Sequence, residues 1–84
     1  MMDGYRTITD REGNGMQLYW VNGFEIRVGI QDGSAVVSAN REGLLSLANH
    51  LAGLAKEPPG SHIHLDEHNS LEDGSAELIL VRTE

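Results

Sequence analysis

Two dipeptides suited to left-handed backbone, Asn22-Gly23 and Asp32-Gly33, punctuate the middle of the chain and leave little room for anything but hairpins there. Runs rich in strand-forming residues flank them: Met16 to Val21, Phe24 to Ile30, and Ser34 to Asn40. A two-residue loop also fixes which side chains share a face. Pairing Val21 with Phe24 gathers Tyr19, Val21, Phe24, Ile26, Val28 and Ile30. Pairing Gln31 with Ser34 adds Ala35, Val37 and Ala39 to that same face. Both turns thus select one apolar face and predict a three-stranded antiparallel meander over residues 16–40. Residues 5–9, Tyr-Arg-Thr-Ile-Thr, alternate and predict a short additional strand at an edge.

The opposite face of that meander collects Met16, Leu18 and Trp20 beside Glu25, Arg27, Gly29, Val36 and Ser38. Trp and Arg dominate the energetics of protein interfaces, so Trp20 and Arg27 are candidate binding residues.

Asn40 is a good N-cap, Glu42 suits a first turn, and Leu44, Leu47, Ala48, Leu51, Leu54 and Ala55 recur at helical spacing. One amphipathic helix over 41–56 is predicted, ended by Pro58-Pro59-Gly60, with its apolar stripe covering the apolar sheet face. Ile63 and Leu65 then alternate with His62, His64 and Asp66, and residues 76–82 form the most continuous apolar run. The expected fold is α+β: a single sheet of five to six mostly antiparallel strands, the meander 16–40 with strands 62–66 and 76–82, packed on one helix. A right-handed crossover would set strands 34–40 and 62–66 parallel, with the strand order open. At 84 residues, without a linker or repeat, residues 1–84 read as one domain.

Residues 60–84 carry six acids (Asp66, Glu67, Glu72, Asp73, Glu77, Glu84) and one base, Arg82, a net charge of −5. The whole chain carries −7, leaving −2 for residues 1–59. Such a field repels nucleic-acid phosphates and attracts basic protein surfaces. The chain has no cysteine, hence no disulfide or thiolate metal site, and a cytoplasmic protein is expected. Its start lacks a basic region followed by an apolar run, and no segment approaches a membrane span.

The segment most suggestive of chemistry is His62-Ile-His64-Leu-Asp66-Glu-His68. On a strand, His62, His64 and Asp66 point to one face, so His62 and His64 are weak metal candidates. A metal site needs further ligands fixed by outer hydrogen bonds, and the sequence does not show that the candidates, His50 on the helix flank and His68 in the loop, converge on the pair. No cofactor is implied. A strand whose polar face hydrogen-bonds its neighbours, with Ile63 and Leu65 in the core, accounts for the same pattern. Ser61 and His62 point to opposite faces, which argues against a nucleophile and base, and no G-x-S-x-G or phosphate-cradling motif is present. A non-enzymatic binding protein is therefore expected. Its candidate contacts are His62, His64, Asp66, Glu67, His68, Glu72, Asp73, Trp20 and Arg27.

The runs Asn40-Arg-Glu-Gly-Leu-Leu-Ser-Leu-Ala-Asn-His-Leu, Pro59-Gly-Ser-His-Ile-His-Leu-Asp66 and Leu71-Glu-Asp-Gly-Ser-Ala-Glu-Leu-Ile-Leu80 resemble the immunity protein 32 family over roughly residues 35–82. That resemblance implies a small bacterial, cytosolic, antitoxin-like protein that binds and neutralises a cognate toxin. Toxin nucleases tend to be basic around their active sites, which agrees with the acidic charge of this chain. The alternatives are a small ligand- or metal-binding module built on His62, His64 and Asp66, a phage-type counter-defence or sequestering protein, or a homo-oligomer burying Leu18 and Trp20.

Overall fold

The computed structural model describes residues 5–9 and 17–84, with side chains from Tyr19 onward. The order is β1 (Tyr5–Thr9), β2 (Gln17–Val21), β3 (Ile26–Gln31), β4 (Ser34–Ala39), α1 (Arg41–Leu54), β5 (His62–Leu65) and β6 (Leu78–Val81). The α+β class and nearly all element positions match the sequence expectation. The single sheet does not form. The strands make three separate antiparallel pairs, β1 with β2, β3 with β4, and β5 with β6, and β4 does not lie beside β5.

The second turn behaves as its dipeptide demands. Asp32 and Gly33 adopt φ of 52° and 82°, both positive as a two-residue hairpin of matching twist requires, and Gln31 pairs with Ser34. The first turn also closes, with Gly23 at φ 86° and the Phe24 N–H donating to the Val21 carbonyl at 3.1 Å. The chain then leaves the ladder. The Asn40 side chain accepts from the Glu25 N–H at 3.0 Å, donates to the Gly23 carbonyl at 2.9 Å, and caps α1 by accepting from the Gly43 N–H at 2.8 Å.

Both edges that β2 and β3 would have shared are taken by other partners. On β2, the Val21 N–H donates to Ser46 Oγ at 2.8 Å and the Tyr19 carbonyl accepts from His50 Nε2 at 3.1 Å. Ser46 and His50 are one helical turn apart, so α1 supplies by side chain what a neighbouring strand supplies by backbone. On β3, the Ile26 and Val28 carbonyls accept the N–H groups of Glu72 and Ala76, each at 2.8 Å, and the Val28 N–H donates to Ser75 Oγ at 3.2 Å. An irregular strap from the 66–77 loop thus stands where β2 was expected.

These bonds turn the helix. The buried face of α1 is Gly43, Ser46, His50 and Leu54, shifted by one residue, about 100° of helix rotation, from the expected stripe. Leu44, Leu45 and Leu51 consequently face outward. Gly43 permits the approach, since a side chain there would meet the Glu25 carbonyl oxygen just before β3 and the Ile26 side chain. The inward face of β2 is inverted as well: Trp20 is 2% exposed, with its ring tilted 31° against Phe24 at 4.5 Å and edge-on 4.2 Å from His50, while Tyr19 points out. Trp20 joins Ile26, Val28, Leu54, Ile63, Leu65 and Leu71 in the core. The β3–β4 apolar face tapers out of that core, and Ile30 at its tip is 65% exposed.

Asn40→Ala removes a helix cap and both bridges to the departing chain at once. The expected loss is about 2 kcal/mol, the upper end for a capping residue, read as a lower urea midpoint; a loss within error of zero would deny Asn40 this organising role.

Candidate functional site

The β5–β6 pair and the loop that joins its strands carry most of the candidate contact residues. Cross-strand partners share a face, so His62 opposite Val81 and His64 opposite Ile79 form the outward face, while Ile63 with Leu80 and Leu65 with Leu78 turn to the core. The alternation expected of the histidine strand is present: Ile63 and Leu65 are buried and both histidines are partly exposed. Their rings lie 5.0 Å apart between centroids, and His64 Nδ1 is 3.5 Å from Glu77 Oε2. His62 Nδ1 lies 3.4 Å from the Gly60 carbonyl oxygen.

Asp66 ends β5 by organising a turn. Its carbonyl accepts the N–H groups of Asn69, Ser70 and Leu71 at 2.9–3.2 Å, and Oδ1 accepts the His68 N–H at 2.9 Å. The Asp66 N–H donates to Asn69 Oδ1, and Asn69 Nδ2 donates to the His64 carbonyl, each at 3.0 Å. The sequence placed Asp66 beside the histidines as a contact residue; the structure gives its carboxylate an internal task.

Beyond this turn Leu71 anchors the loop in the core, and Glu72 and Ala76 strap it to β3. Arg27 Nη1 donates to the Asp73 carbonyl at 2.9 Å. Arg27 and the loop acids, expected on separate surfaces, therefore meet at one place. Gly74, at φ 85°, turns the strap, and its N–H lies 3.4 Å from Glu67 Oε1. Glu67, His68 and Asp73 are exposed, and Glu72 is half-buried. Glu72 borders an open cleft of about 310 Å³ shared with Glu25, Arg27, Ser38 and Asn40.

Trp20 lies elsewhere, in the core beside α1, and cannot touch a partner without unfolding β2 from the helix. Its expected place on an outward face assumed the β2–β3 ladder that Ser46 and His50 replace. Ile79 and Val81 share the histidine face, with Glu77 beside His64, and the two apolar residues were missed because an unbroken apolar run hides which residues face out; only the register against β5 shows it. Among the described residues, no group of three or more His, Asp or Glu side chains is arranged to hold a metal ion. Nor is any helix there long and apolar enough to cross a membrane.

The model of the family described as Immunity protein 32 matches residues 34–83, from the start of β4 through the end of β6. The chain belongs to the immunity protein 32 family. No curated protein and no solved structure is similar enough to the chain to match it. The matched span contains α1, the β5–β6 pair and the strapped loop, and so every candidate contact residue except Trp20 and Arg27. Membership implies a protein partner, as an immunity protein has its toxin.

Proposed function

We propose that this chain is a non-enzymatic immunity protein that binds and neutralises a cognate, basic toxin in the cytoplasm. The contact surface is the outward face of β5–β6 together with the 66–77 loop. The observation that carries this reading is the rigid mounting of acidic side chains within the family-matched span. Glu67, Glu72 and Asp73 sit on a loop pinned by Leu71, by two backbone bonds to β3, and by Arg27. A loop ordered before binding loses little entropy on association, and its negative field speeds encounter with a basic surface. His62, His64 and Glu77 extend the surface along β5–β6.

The test uses the protein encoded by the neighbouring gene. Glu72→Lys with Asp73→Lys should weaken the complex at least about tenfold, mostly through slower association, and leave the circular dichroism spectrum unchanged. A partner that binds the double variant as tightly as the parent removes the loop from the contact. Failure of the neighbour's product to bind at all rejects the immunity reading for this chain.

A further inference from the structure

One edge of the same face is left open. The Arg82 N–H donates across the ladder to the Ser61 carbonyl at 2.9 Å, and the register sets Ile63 against Leu80 and Leu65 against Leu78. Backbone groups point alternately to the two sides of a strand, so those of Leu78, Leu80 and Arg82 serve β5 while those of Ile79 and Val81 point away from it. Among the described residues, no strand pairs with that outer edge of β6. The edge of β5 is blocked by contrast, since Asn69 Nδ2 occupies the His64 carbonyl.

Exposed edges normally carry a lysine, a proline or a bulge that discourages pairing. β6 reads Leu-Ile-Leu-Val, with Ile79 and Val81 49% and 54% exposed. Beside Val81 a cleft of about 230 Å³ opens between the strand end and Leu51, Leu54 and Ala55 of the helix. The strand is bracketed by acids, Glu77 before it and Glu84 after it. The one Lys or Arg among residues 60–84, Arg82, donates from Nη1 to the Glu57 carbonyl at 2.6 Å.

We propose that the outer edge of β6 accepts an extended segment of the partner protein as an added strand, apolar at its centre against Ile79 and Val81 and basic at its ends against Glu77 and Glu84. Backbone bonds to the edge supply affinity and the side-chain pattern supplies selectivity, as in other strand-addition complexes. The charge of residues 60–84, six acids to one base, favours a basic protein over a second copy of this acidic chain. This inference rests on the immunity reading and adds a mode of binding to it.

The test is selection of the protein against a displayed library of random linear peptides. Enriched sequences should carry an apolar centre flanked by Lys or Arg. Saturation with the best synthetic peptide should slow hydrogen exchange at the Ile79 and Val81 amides at least about tenfold. N-methylation of alternate amides in that peptide should abolish binding. Val81→Lys, at an exposed site, should weaken it about tenfold, whereas Ala35→Lys at an exposed position of β4 should leave it unchanged.

Three results overturn the proposal: no enrichment, enrichment of acidic or helix-forming peptides, or unchanged exchange at those two amides. Sedimentation of the chain alone as a dimer with both amides protected would assign the edge to a second copy and overturn it too. A complex with the neighbouring gene's product that leaves these amides exchanging at the unbound rate rejects the edge and retains the immunity reading. Peptide binding without any such complex does the reverse.

Discussion

Gly43→Val is expected to lower the stability of the fold by about 3 kcal/mol, while Gly53→Ala, ten residues along the same helix, raises it by up to about 1 kcal/mol. A Cβ at Gly43 would lie 2.5 Å from the Glu25 carbonyl oxygen, 2.9 Å from Ile26 Cγ1 and 3.0 Å from Ala39 Cβ. That oxygen cannot yield easily, because it accepts the Asn40 N–H at 3.1 Å and Asn40 holds both the helix start and the turn before β3. A Cβ at Gly53 meets nothing within 4 Å, so the only effect there is the loss of glycine's excess freedom in the unfolded chain. Urea midpoints of the two variants check the pair. Equal shifts of the same sign would mean that α1 does not press on β3 at Gly43.

Gly43 also shows where the sequence stopped being legible. Local signals were sufficient wherever one residue's backbone requirement decided the outcome: Asp32-Gly33 set the β3–β4 register, Asn40 started the helix, and period-two alternation turned His62 and His64 outward. They failed where two elements competed for one edge. Asn22-Gly23 does make its turn, yet the β2 edge goes to Ser46 and His50 and the β3 edge to the loop strap, contacts more than 20 residues apart in sequence. A hydrophobic count ranks Leu44 and Leu51 above Ser46 and His50 and so points the helix the wrong way. The overlooked signal was Gly43, Ser46, His50 and Leu54 on one stripe: a residue small enough for contact followed by two that can bond a strand edge. Reading that stripe would have put Trp20 in the core, because a helix docked on the edge of β2 leaves it no outward face.

The candidate site divides along the same line. Glu67, His68 and Asp73 were readable as exposed because they sit in a polar run bounded by strands. What holds them was not readable: Leu71 is the one large apolar residue of that run, and its burial, with the bond from Arg27 to the Asp73 carbonyl, converts a surface loop into a fixed one. A mounted loop can act in recognition with little reordering, which an untethered acidic tail of equal charge cannot do.

His50→Ala should cost about 3 kcal/mol, for it opens a cavity beside Trp20 and removes the partner of the Tyr19 carbonyl. His50→Gln, which keeps a donor, should cost less, and the two together separate packing from hydrogen bonding. The imidazole also makes the fold sensitive to acid. Nε2–H donates to the Tyr19 carbonyl, so Nδ1 is the bare nitrogen of a neutral ring, buried without a partner among the described residues. Burial lowers the His50 pKa below its ordinary value of 6.5, and the Tyr19 carbonyl only partly opposes that shift. Above that value both folded and unfolded chains hold the ring neutral, and His50 contributes no pH dependence. Below it the unfolded chain takes up a proton that the folded chain refuses, so stability falls with pH until the folded ring also protonates. For one proton the slope is at most about 1.4 kcal/mol per pH unit. Urea titrations at about pH 7.5 and about pH 5.5 should therefore show the parent weaker at the lower value, with the difference reduced in His50→Gln. An undiminished difference would mean that His50 does not carry the acid sensitivity and that the α1–β2 clasp is intact at every pH tested.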